Sequence, residues 1–194
     1  MTATTTFKDA LEARGPYAVW DLMTEDEREA AARALWQQGD RPTRAAIEAA
    51  LAKEMKFRPQ SLRKLSVDRV VSRLVRMVDE LPDTVVFQFL FHLHMADRRA
   101  LLAEFLDAVG LPHEDGVLDL PEDQPDPDPE AVKKAADALV ASHGHEALVY
   151  LGTLRVADEV FWGGVDQVLQ GFGDDGEAVT TAAGSKKQKT TKSG

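Results

Sequence analysis

Residues 85–95 read Val85-Val-Phe-Gln-Phe-Leu-Phe-His-Leu-His-Met95, the longest apolar-rich stretch of the chain. Its period-two alternation suits a strand. Its polar residues also suit a helix, because Thr84, Gln88 and His92 recur every fourth position and would form one narrow stripe. A strand needs partners, and no other segment supplies a convincing one, so the helical reading is taken. This helix is the expected centre of the fold and its most buried element. It is far shorter than the ~20 apolar residues that cross a bilayer, so no membrane partner is expected.

Working outward, Ser66 can cap a helix that buries Val67, Val70, Val71, Leu74, Val75 and Val78. That helix leaves Arg69, Arg73 and Arg76 in a stripe on its other side, and Leu81-Pro82-Asp83 separates it from the central one. On the far side, a helix over 97–109 carries Leu101, Leu102, Phe105 and Leu106 and closes at Gly110-Leu111-Pro112. Nearer the N-terminus, Phe7 and Leu11 belong to a short helix ended by Gly15-Pro16. Thr24-Glu25-Asp26-Glu27 has the capping-box pattern and opens a helix that stops at Gly39. Pro42 suits the first turn of the next, which carries Ile47, Leu51 and Met55.

Residues 113–129 form an acidic, Pro-rich connection, extended by its prolines and pinned to the core by Val117, Leu118 and Leu120. Asp128-Pro129-Glu130 then starts a helix bearing Val132, Ala135, Ala136 and Leu139. Gly144 separates it from one with Leu148, Val149, Leu151 and Leu154. A last helix runs from Val156 to Leu169, with Trp162-Gly163-Gly164 marking close packing or a kink. The expected architecture is all-α: a single compact bundle of about seven to nine helices over residues 1–170, with a disordered tail at 171–194.

The chain has no Cys and no Asn. Disulfides, thiol nucleophiles, Cys-based zinc sites and N-glycosylation are therefore excluded, which fits a cytoplasmic protein. The start of the chain lacks the basic and apolar regions of a signal peptide. The net charge of −10 is unevenly spread. Residues 41–76 hold ten Lys and Arg against three acids, whereas residues 114–130 hold eight acids and no Lys or Arg. The acidic connection is thus an obvious internal partner for the basic stretch.

Catalytic patterns do not survive inspection. Gly171-Phe-Gly-Asp-Asp-Gly176 matches GxGxxG, but that motif needs a strand before it and a helix after it, and Asp174 and Asp175 would repel phosphate. His92 and His94, two apart on a helix, diverge by about 200°, whereas zinc ligands on one helix usually sit four apart on one face. His92 reads as a hydrogen-bonded histidine in an apolar helix, and His143 and His145 as solvated residues of a turn. No catalytic residue, metal or cofactor is assigned, and an enzyme is not expected.

The segment Leu51-Ala-Lys-Glu-Met-Lys-Phe-Arg-Pro-Gln-Ser-Leu-Arg-Lys-Leu65 resembles a DNA-binding helix-turn-helix. Leu51, Ala52, Met55, Phe57, Leu62 and Leu65 fall at its apolar positions, and Arg58, Gln60, Ser61, Arg63 and Lys64 would face outward. Lys56 stands where such turns carry Gly, and Arg58-Pro59 where a capping Ser or Thr opens the second helix. Two functional expectations follow. In the first, the protein is a non-catalytic helical adaptor, a component of a larger assembly. It meets an unknown protein partner through a basic surface of Arg58, Gln60, Arg63, Lys64, Arg69, Arg73 and Arg76. In the alternative, it is a transcriptional regulator that binds nucleic acid through residues 48–65, with Gln60, Arg63 and Lys64 in the major groove.

Overall fold

The computed structural model describes residues 5–62, 64–121 and 123–179. The chain runs through α1 (Phe7–Arg14), α2 (Pro16–Leu22), α3 (Glu25–Gln38), α4 (Arg41–Glu54), the single turn α5 (Pro59–Leu62) and α6 (Val67–Arg76). It continues through α7 (Asp83–Asp97), α8 (Arg99–Val109), the strands β1 (His113–Glu114) and β2 (Val117–Leu118), α9 (Pro129–His143), α10 (His145–Ala157) and the single turn α11 (Asp166–Leu169). The fold is all-α as expected. Among the described residues eight α-helices reach eight residues or more, and a two-stranded hairpin is the only sheet.

Local chemistry sets most of the helix ends. Thr24 accepts from the Glu27 amide while the Glu27 carboxylate accepts from the Thr24 amide, the reciprocal pair that starts α3. Asp40 caps α4 through the Thr43 amide at 2.8 Å, and Asp128 caps α9 ahead of Pro129. Gly110 takes the left-handed conformation that ends α8, and the Leu111 amide reaches back to the Leu106 carbonyl at 3.0 Å.

Tertiary packing places two helices at the centre. α7 lies against α2, α3, α8 and α10, and α10 lies against α2, α7, α9 and α11. Phe89 of α7 meets Trp20 of α2 at 5.2 Å between ring centroids, and Phe105 of α8 stands edge-on to Tyr150 of α10. The more deeply buried of the two is α10, with an unbroken buried run from Ala147 to Thr153. The sequence reading favoured 85–95 instead. α7 leaves Phe91 exposed because one of its faces opens on a cavity rather than a helix.

Three further segments differ from expectation. Residues 113–118 are not simply extended: Asp115 and Gly116 both take positive φ, +50° and +78°, and turn the chain into a hairpin. Val117 and Leu118 are exposed there rather than pinned into the core. The last helix is broken after Ala157, since the Asp158 carboxylate takes the Val160 and Phe161 amides and turns the chain. Finally, the fold continues past residue 170: the Phe7 amide donates to the Phe172 carbonyl at 2.8 Å, and Phe172 bridges Ala178. The remainder of the expected tail, 180–194, lies outside the described residues. No described helix is long and apolar enough to cross a membrane.

Candidate functional site

α6 is amphipathic by construction. Val70, Val71 and Leu74 are buried where the helix lies on α3, so the intervening Arg69, Ser72, Arg73 and Arg76 turn outward. Arg69, Ser72 and Arg76 are exposed and Arg73 is half-buried. With Met55 and Asp68, these four residues line a groove of about 350 Å³ beside the end of α4.

Internal pairing removes part of the positive charge. Arg73 grips Glu54 of α4, and Asp68 is taken by Arg33 of α3 at 2.7 Å. Among the described residues Arg69 and Arg76 have no carboxylate partner, and neither do the exposed Arg58 and Lys64. The acidic connection supplies none: among its described carboxylates, Asp115 alone is ion-paired, with Arg99 of α8 at 3.2 Å. The expected neutralisation of the basic stretch by the acidic connection is therefore absent among the described residues.

Of the residues singled out by sequence, Arg69, Arg73 and Arg76 share the groove, while Arg58 and Lys64 are exposed beyond its walls. Arg63 and the side chain of Gln60 lie outside the described residues. In the segment resembling a helix-turn-helix, Leu51, Ala52 and Leu62 are buried, whereas Phe57 is 42% exposed. Lys56 has φ of +53°, and the Phe57 amide bonds the Ala52 carbonyl at 2.9 Å, so α4 ends in a Schellman turn with lysine at the position glycine favours. The helix that follows is four residues, roughly 6 Å long.

No known family, curated protein or solved structure matches this chain.

Sequence reasoning missed a second polar cluster, built on Glu27. Beyond its capping role, Glu27 accepts from Arg98, which joins α7 to α8, and His145 at the start of α10 lies 3.0 Å from it. Burial pushes its carboxyl up, but hydrogen bonds from Thr24, Arg98 and His145 outweigh this and bring it down to about 2. A carboxylate so held is a poor base, and the cluster ties α3, α7 and α10 together. Two histidine readings also change. His143 and His145 are not merely solvated, since His143 lies 2.8 Å from Glu104. The hydrogen-bonded histidine of α7 is His94, paired with Thr153 at 3.0 Å, while His92 Nδ1 has no partner among the described residues.

Proposed function

We propose that this protein is a non-catalytic interaction subunit, a helical adaptor within a larger cytoplasmic assembly. Its arginine face docks an acidic segment of a protein partner. The observation that carries this reading is the pair Arg69 and Arg76, exposed on one groove wall without an internal carboxylate. The half-buried Met55 in that groove and the exposed Phe57 two residues on add apolar surface. A protein segment can use such surface for anchoring, whereas a phosphate backbone cannot.

The alternative, recognition of duplex DNA by residues 48–65, draws support from the left-handed turn at Lys56. It is weakened by α5, because a single turn offers little helix to lay along a major groove. Fluorescence anisotropy with a labelled glutamate-rich peptide and a labelled random duplex separates the readings. The adaptor reading expects the peptide to bind. Exposed charge contacts are worth about 0.5–1 kcal/mol each, so Arg69→Ala/Arg76→Ala should weaken it about five- to thirty-fold. Steeply salt-dependent duplex binding without peptide binding would transfer the conclusion to the alternative. Binding of neither probe would dismiss both uses of this face.

A further inference from the structure

On the other side of α7, a cavity of about 340 Å³ opens between α7, α8, α10 and the hairpin. That is about twice the size of an apolar cavity known to hold benzene, and within the range of small-molecule sites. Met95, Leu102, Leu106, Leu154 and Trp162 form much of its wall, and no Lys, Arg, Asp or Glu lines it. Exposed Phe91, Val117 and Leu118 stand at its mouth.

The polar groups in the wall define the chemistry. Thr153 donates its hydroxyl proton to the Val149 carbonyl at 2.8 Å, so it can only accept from His94, whose Nε2 must carry the hydrogen. Burial, reinforced by the nearby Arg98, lowers the His94 pKa to about 3, so the ring is neutral at physiological pH. The Nδ1 of that ring is left a bare acceptor with no partner among the described residues. Tyr150 supplies the donor: it is 3% exposed, it lines the cavity, and its hydroxyl makes no hydrogen bond among the described residues. Burial keeps that phenol protonated. A hydroxyl without a protein partner, on a side chain that lines a mostly apolar cavity, is a donor available to whatever enters.

We propose that this cavity binds a small, uncharged, mostly hydrophobic molecule through one oxygen that accepts the Tyr150 hydroxyl hydrogen. A carboxylate of the same length would have to shed its hydration with no cation facing it, so the site discriminates against anions. The hairpin is held over the cavity by Gly116, where a Cβ would meet the Arg99 carbonyl oxygen at 2.7 Å.

Isothermal titration with 2-nonanone and with nonanoate at neutral pH tests this directly. The ketone should bind, and nonanoate should bind at least tenfold more weakly. Tyr150→Phe keeps the ring and removes only the donor, and should weaken the ketone about tenfold, the equivalent of one hydrogen bond. Ala157→Phe, at the exposed rim, narrows the cavity and provides a second variant; it should weaken the ketone as well. The proposal is overturned if the wild-type protein fails to bind the ketone, or if nonanoate binds as tightly. It is equally overturned if a folded Tyr150→Phe binds the ketone unchanged.

Discussion

Replacing Glu27 by glutamine tests the claim that one half-buried carboxylate ties three helices together. Glutamine keeps the shape and can still complete the capping box with Thr24, so the change isolates the charge. The Glu27 side chain is 13% exposed and its pKa falls from an ordinary 4.5 to about 2. At about 1.4 kcal/mol per pH unit, that difference corresponds to about 3 kcal/mol of stability at neutral pH. Because the folded value lies below the unfolded one, this contribution is complete above pH 4.5 and is lost as pH falls toward 2. Urea unfolding at a series of pH values reads it out. At pH 7 the variant should be about 3 kcal/mol less stable, with the gap narrowing to about 1 kcal/mol near pH 3. Adding Arg98→Met should recover part of the loss, since the guanidinium left behind is buried and keeps only the more distant Glu146 carboxylate, at 3.8 Å. A gap under about 1 kcal/mol at pH 7, or one that does not narrow in acid, would refute the reasoning.

Two other substitutions probe backbone and packing. Lys56→Gly removes a side chain from a left-handed position that costs an L-residue about 1–2 kcal/mol, set against about 0.5–1 kcal/mol of extra unfolded-chain entropy. It should leave stability unchanged or raise it by up to about 1 kcal/mol, and a clear loss in urea would show that the lysine side chain contributes more than its backbone costs. Gly152→Ala gains about 1 kcal/mol of helix propensity but places a Cβ 2.9 Å from Phe7 Cζ and 3.1 Å from Val19 Cγ2, both in fully buried side chains. Overpacking at about 1–3 kcal/mol outweighs the propensity, so the melting temperature should fall; a rise would mean that Phe7 gives way.

What the sequence revealed and concealed follows from the range of each interaction. Thr24 with Glu27, Gly110 with Leu111, and Asp128 with Pro129 are contacts within a few residues, and each marked a helix end correctly. The stripe Arg69, Arg73 and Arg76 was legible for the same reason: helical spacing alone puts those residues on one face. The consumption of Arg73 by Glu54, and of Glu27 by Arg98 and His145, depends on helices far apart in the chain, and nothing local announced it. Phe172 misled in the opposite sense, because its neighbours are polar and its docking on Phe7 runs through backbone atoms that composition does not weigh. The hairpin was the avoidable omission. Asp115-Gly116 is the residue pair that favours two consecutive positive φ values, and the acidic, Pro-rich character of the flanking chain hid it.

The charge asymmetry along the chain becomes a separation in space, and this bears on the proposed partner. The hairpin that begins the acidic connection packs on α8, whereas the arginine groove sits on α6 beside α4. Charges further apart than about 8–10 Å are largely screened at physiological salt, so distant carboxylates do little to neutralise Arg69 and Arg76. The same screening limits what the net charge of −10 can do to an approaching acidic segment. Its far-field repulsion fades at physiological salt, and within a few ångströms of the groove the local guanidinium groups dominate. At physiological salt the overall charge therefore does little to keep an acidic partner of the proposed kind away, and the unpaired arginines with the apolar surface at Met55 and Phe57 would set whether it stays.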